Sequence, residues 1–150
     1  MKIAVDAMGG DNAPYEIVKG AVLAANEMNE QIVLIGKSDE INSILQRENA
    51  KLSNIEVVHA PDVIKGEDSP VAAIRSKRES SMYIGLEMLR DKECDAFVSA
   101  GNTGALMAGA LMVVGRIKGI KRPALAPIIP TRTGNMLIID AGSNTDCDEE

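Results

Sequence analysis

Short apolar runs alternate along this chain with longer stretches in which apolar residues recur every three or four positions. Ile3-Ala4-Val5 is one such run and ends at Asp6; Ile32-Val33-Leu34-Ile35 closes on Gly36; Ile55 to Val58 ends near His59; Asp95-Ala96-Phe97-Val98 leads into Ser99. Each has the length and character of a buried strand. Between them, Ile17, Val18, Ala21, Val22, Ala25 and Met28 mark one helical stripe behind a helix-starting Pro14, and Ile41, Ile44 and Leu45 mark another behind a cap at Ser38 or Asp39. Ser69-Pro70 reads as an N-cap followed by a proline in the first turn. The pattern from Val71 to Arg90 is helical but interrupted, which predicts two helices or a break near Ser80. Ala105 to Val114 carries no charge and predicts a helix packed on most sides. Ala124 to Ile129 and Met136 to Asp140 are two more strands. The linker 130–135 between them is short enough for a hairpin, so one strand is expected to run antiparallel.

Strands that are continuously apolar, alternating with helices, signal a mostly parallel sheet covered on both faces. The predicted fold is therefore α/β: a mostly parallel, mixed sheet in a three-layer α/β/α Rossmann-like sandwich, with residues 1–150 as a single domain. No internal repeat or inter-domain linker interrupts it. In such sheets ligands sit beyond the carboxyl ends of the strands. Three loops meet that rule with similar chemistry: Asp6 to Asn12, Gly101 to Gly104, and Asp140 to Asp146.

Composition narrows the picture only a little. The chain has 150 residues, 45% hydrophobic and 25% charged, which suits one soluble domain with a real core. Aromatics are confined to Tyr15, Tyr83 and Phe97, so the core must be built from aliphatic residues and eight methionines. Few aromatics and a net charge of −6 both argue against a nucleic-acid partner. Cys94 and Cys147 form no metal-ligand or CxxC spacing, and the first residues lack the pattern of a signal peptide. A cytoplasmic protein is the expectation.

The stretch richest in candidate chemistry is Ser99-Ala100-Gly101-Asn102-Thr103-Gly104-Ala105, a glycine turn between a strand and a helix. It aims backbone N–H groups and a helix dipole at whatever lies above the strand end, and Asn102 or Thr103 is placed to cap the helix. The turn reads either as the floor of a phosphate or oxyanion site or as an ordinary capped turn. Gly9-Gly10-Asp11 is not a GxGxxG fingerprint, and no GxxxxGK[ST] run exists, which argues against the common nucleotide sites. Asp6 and Asp140 each end a strand, as metal ligands or, more commonly, as acceptors that fix loop amides. His59 has no GxSxG elbow to serve and reads as structural. Arg75, Lys77 and Arg78 form a basic cluster on one helix, either solvated or anion-binding.

Taken together, Val5-Asp6-Ala7-Met8-Gly9-Gly10-Asp11-Asn12-Ala13-Pro14, Ser80-Ser81-Met82 and Ser99 to Ala105 resemble the bacterial phosphate acyltransferase family of phospholipid synthesis. Arg122-Pro123-Ala124-Leu125 and Asp140-Ala141-Gly142-Ser143-Asn144-Thr145-Asp146 fit the same resemblance. Two departures are mild: many relatives carry His at the position of Asn12 and Ala at that of Ser143. Relatives are also longer, so the chain resembles an N-terminal half, expected on its own to be dimeric or aggregation-prone and poorly active.

The resemblance implies transfer of a fatty acyl group from acyl carrier protein to inorganic phosphate, with no cofactor and no metal. It implies catalytic roles for Asn102, Thr103 and Asp6. It implies substrate binding by Gly9, Gly10, Asp11, Asn12, Lys77, Ser81, Ser99, Gly101, Gly104, Asp140 and Asn144. The basic connector Arg116, Lys118, Lys121 and Arg122 is the expected contact for the acidic carrier protein. A homodimer and a peripheral contact with the inner face of the membrane are further expectations. The alternatives are a phosphotransacetylase-like transferase using acyl-coenzyme A, and a truncated, non-catalytic binding module.

Overall fold

The computed structural model describes residues 1–28, 30–120 and 123–142. They gather into two compact units, Met1–Val114 and Gly115–Glu150. In the first, four strands, β1 (Lys2–Asp6), β2 (Gln31–Gly36), β3 (Ile55–His59) and β4 (Ala96–Val98), form one sheet in the order β3-β2-β1-β4. Every pairing in it is parallel: Ala4 of β1 lies opposite Val33 of β2 on one side and Phe97 of β4 on the other.

Side chains alternate across the sheet, and both faces are covered. Ile32 and Leu34 join Val18, Ala21, Val22 and Ala25 of α1 (Tyr15–Glu27) and Ile41 and Leu45 of α2 (Ser38–Arg47) in one core. Ala4, Val33 and Ile35 face the other way, onto Met88 of α4 (Ser81–Arg90) and Cys94. This is why the strands read as unbroken apolar runs. A third cluster joins Ala73 and Ile74 of α3 (Pro70–Ser76), Met82 and Leu86 of α4, and Ala105 of α5 (Thr103–Gly109). The unit is thus the expected layered α/β/α arrangement.

The break in the 71–90 pattern falls at Ser80, as the sequence predicts. Ser80 caps α4 by accepting the amide of Tyr83, and its hydroxyl donates to the carbonyl of Lys77 at 2.7 Å. Pro70 opens α3 at its first turn, as predicted, although Ser69 makes no side-chain cap bond. Lys37, not Ser38 or Asp39, holds the cap position of α2, and the Ser38 hydroxyl lies 3.1 Å from Nδ1 of His59 instead. Pro14 holds the cap position of α1 instead of its first turn, and Met28 falls just past the helix end, where it is exposed.

The uncharged helix departs most from expectation. Residues Ala110–Val114 continue α5 in wider π-type turns, and Leu111, Met112 and Val114 are exposed instead of packed. Only one face of this helix is used. Gly109 sits so tightly against Leu86 and Ile74 that contact is complete on that side, and the other face meets nothing in this unit to bury it.

In the second unit, β5 (Ile128–Thr131) and β6 (Gly134–Leu137) form the predicted hairpin. It makes a separate two-stranded antiparallel sheet, so the four-stranded sheet is wholly parallel, not mixed. Both hairpin strands are exposed along their length, and β6 stops short of Asp140.

Candidate functional site

The order in which strands are added reverses between β1 and β4. The connection from β1 leads through α1 to β2 on one side, whereas β4 is reached by a crossover to the other side. Such a switch point opens a crevice at the carboxyl ends of the two strands, where open α/β sheets bind ligands. Two of the three loops singled out in the sequence meet here.

They meet because both are glycine at the point of contact. A Cβ at Gly101 would lie 3.2 Å from Cα of Gly9, and one at Gly9 would lie 3.0 Å from the Gly101 amide nitrogen and overlap Oδ2 of Asp6. Gly10, at φ +122°, adopts backbone that side chains rarely tolerate, which turns the loop back over the strand end.

Asp6 joins the pieces from below. Its side chain is buried, with Oδ1 accepting from the Ser81 hydroxyl at 2.6 Å and the Met8 amide at 3.1 Å. Oδ2 accepts from the Ser99 hydroxyl at 2.8 Å, and Ser99 Oγ in turn accepts the Gly101 amide at 3.1 Å. The end of β1, the first turn of α4 and the turn after β4 are thereby held to one carboxylate. Of the two readings open for Asp6, the structure favours the loop-fixing acceptor.

Asn102 caps α5, its Oδ1 accepting the Ala105 amide at 2.9 Å. Its Nδ2 donates to the carbonyls of Lys65, Gly66 and Asp68, each at 3.1 Å. This side chain therefore ties the 62–68 loop across the glycine turn. Lys77 ties the same loop from the other end: its ammonium donates to the Val63 carbonyl at 2.9 Å and to Asp68 Oδ2 at 2.6 Å. Lys77, a substrate-binding residue by expectation, is turned into the loop.

Beneath that loop lies a cavity of about 300 Å³, walled by Met8, Gly10, Asp11, Lys65, Gly101 and Asn102 among others. That is the small end of the range for ligand pockets. Sequence reasoning misses Lys65 and Glu67 of its roof, because 60–69 reads only as a charged loop. The available signal was position: a long loop beyond a strand's carboxyl end is where function concentrates.

The remaining expected residues are placed as follows. Asn12 is exposed in the β1–α1 loop; Thr103 and Gly104 are exposed on the first turn of α5, where Gly104 rests against Pro70. Arg116 and Lys118 are exposed in the second unit, where Asp140 Oδ1 accepts the Leu125 amide at 2.9 Å. Lys121, Arg122 and Asn144 lie outside the described residues.

The Lys77–Asp68 pair gives the roof a pH dependence. The Lys77 ammonium, with the Lys65 amide, holds the Asp68 carboxyl below its ordinary value of 3.8, and Asp68 holds Lys77 above its ordinary 10.5. A depressed carboxylate contributes stability above its unfolded pKa and loses it as pH falls through the folded one; the raised lysine contributes below its unfolded pKa and loses it as pH rises through the folded one. Protection of the Asp68 amide, corrected for intrinsic exchange, is therefore expected to be flat between about pH 5 and 9 and to fall in stronger acid. Asp68→Asn should be weakly protected throughout, with no acid step. A wild-type acid step retained in that variant would assign the effect to another group.

Comparison with known proteins places these residues in context. A family model described as "Fatty acid synthesis protein" matches residues 1–150. A phosphate acyltransferase of Caldanaerobacter subterraneus is 54% identical over 151 residues, covering 100% of this chain and 44% of that protein. One from Thermoanaerobacterium thermosaccharolyticum is 55% identical over 147 residues, covering 98% of this chain and 43% of that protein. The chain thus spans less than half the length of these relatives. Among solved structures, the EutD phosphotransacetylase from Staphylococcus aureus superposes with a TM-score of 0.68 at 19% identity, over 99% of this chain and 48% of its own. That likeness is one of fold.

Proposed function

Since the chain belongs to the fatty acid synthesis protein family, with phosphate acyltransferases among its curated relatives, we propose that it carries the phosphate-binding part of an acyltransferase. That enzyme moves a fatty acyl group from acyl carrier protein to inorganic phosphate. The observation that carries this reading is the cavity beside the β1–β4 switch point, where Gly9 and Gly101 approach each other.

Phosphate near neutral pH is already an anionic nucleophile, so the reaction needs positioning and charge stabilisation more than a base. A phosphate oxygen attacks the thioester carbonyl carbon; the C–O bond forms, and the C–S bond then breaks, releasing the carrier-protein thiolate and leaving acyl phosphate. The Asn102 side chain is committed to its cap and to the loop, and the Gly101 amide to Ser99, so this reading gives phosphate binding to the main chain at Gly10 and Asn102, with Lys65 supplying positive charge. Titrating the chain with inorganic phosphate should shift the amide resonances of Gly10 and Asn102 and leave those of α2 in place. No response at either residue would refute the site.

The same reading assigns the acyl carrier protein to the basic connector. The chain is net acidic, so encounter with an acidic partner requires a local positive face, and such charges act mainly on association rate and salt dependence. Lys118→Glu combined with Lys121→Glu should weaken acyl-carrier-protein binding by roughly tenfold and flatten its salt dependence, while phosphate binding stays unchanged. Unchanged carrier-protein affinity across a salt series would remove the connector from the proposal. Acyl-coenzyme A in parallel distinguishes the phosphotransacetylase-like alternative, which would prefer it. A cytoplasmic homodimer touching the inner membrane face belongs to this proposal. No described helix is long and apolar enough to cross a membrane, and exposed Leu111, Met112 and Val114 supply apolar surface for a partner copy.

A further inference from the structure

We infer that Asp6 is a positioning residue, acting through Ser99 and Ser81 to set the Gly101 turn against the Gly9–Gly10 loop, so that the cavity is built to hold an anion before one arrives. The inference rests on the phosphate-site reading above. A buried carboxylate at the floor of a proposed anion site would repel the ligand if its charge faced upward. Here the charge is offset by donors on the protein side. Both oxygens are occupied from the protein side, by two hydroxyls and one amide, and Gly9 covers Oδ2 so closely that no Cβ fits between them.

The bonds also run in one direction. The Gly101 amide donates to Ser99 Oγ, and Ser99 donates to Asp6 Oδ2. Only an acceptor at position 6 orients the Ser99 hydroxyl downward, which leaves its lone pairs toward the Gly101 amide. An asparagine in place of Asp6 keeps one acceptor only, so it cannot receive the Ser99 hydroxyl and the Met8 amide at once. Its amide offers one acceptor atom and one donor atom where Ser99 on one side, and Ser81 with Met8 on the other, all present donors. Asp6 is separated from Ser81 by 75 positions and from Ser99 by 93, so the contact is tertiary and joins three separate strand and helix ends. Ser81 is itself buried at the start of α4, which anchors the arrangement to the core through Met82.

The test compares Asp6→Asn, Ser99→Ala and the double variant with the unaltered chain, reading Gly101 amide exchange without phosphate, phosphate affinity and protection in α2. In each single variant, Gly101 exchange should quicken by about tenfold or more and phosphate affinity fall by a similar factor. Protection of Ile41 and Leu45 should persist. The double variant should lose little more than either single one, because both break the same link. Should Asp6→Asn fail to fold, Ser99→Ala still reports on the link. Loss of protection throughout the unit in Ser99→Ala would show a merely structural role, and unchanged exchange at Gly101 would remove the link; either result overturns the inference. If the unaltered chain binds no phosphate, the site reading fails, while the exchange measurements still decide whether Asp6 positions the turn.

Discussion

Gly9→Ala is expected to destabilise the Met1–Val114 unit by about 3 kcal/mol, lowering its melting temperature by roughly 10 °C. The new methyl would overlap Oδ2 of Asp6 and sit 3.0 Å from the Gly101 amide nitrogen. Neither neighbour can yield cheaply. The Asp6 carboxylate is buried and held by Ser81, Met8 and Ser99, and the Gly101 nitrogen is main chain. Overpacking of this kind costs about 1–3 kcal/mol, and a displaced hydrogen bond to a charged group adds about 1.5–3. Gly20→Ala is the control, because a Cβ there meets nothing within 4 Å and lies on a helix. It should be neutral or slightly stabilising. A Gly9→Ala protein that melts with the unaltered chain would mean the two loops separate readily, and the site as described would not be rigid.

Much of this unit was legible in the residues themselves. The continuous apolar runs announce strands buried on both faces, and Ala4, Val33, Leu34 and Ile35 are all fully buried. The Ser80 break, the Asn102 cap and the hairpin after residue 127 rest on local chemistry that acts within a few positions. What could not be read is what depends on strand order. Nothing local to Asp6 says that Ser81 and Ser99 will reach it; that follows only once β4 is known to pair with β1. The roof was hidden for the same reason. Lys65, Asp68 and Lys77 look like ordinary surface charges until Asn102, more than 30 positions along the chain from Lys65 and Asp68, is seen holding their loop. The exposed end of α5 shows the opposite failure. An uncharged stretch predicts burial, but a lack of charge does not supply a partner, and Leu111 and Met112 have none within the unit.

Asn102 offers the sharpest separation of roles, because its two side-chain atoms do different things. Oδ1 caps α5 through the Ala105 amide, and Nδ2 holds three loop carbonyls. Asn102→Ala loses both and should cost about 2 kcal/mol, roughly half from the cap and the rest from the loop. Asn102→Asp keeps an acceptor for Ala105, and its negative charge suits a helix N-terminus. The same change turns a donor into an oxygen facing the carbonyls of Lys65, Gly66 and Asp68, which then repel it. This variant should melt between the unaltered chain and Asn102→Ala, while amide exchange at Lys65 and Asp68 rises to the level seen in Asn102→Ala. Phosphate affinity should fall in both variants if the 62–68 loop is the roof of the site, since opening it removes Lys65 from the cavity. Should Asn102→Asp leave loop exchange unchanged, Lys77 alone would be holding the roof, and Asn102 would be a cap and nothing more.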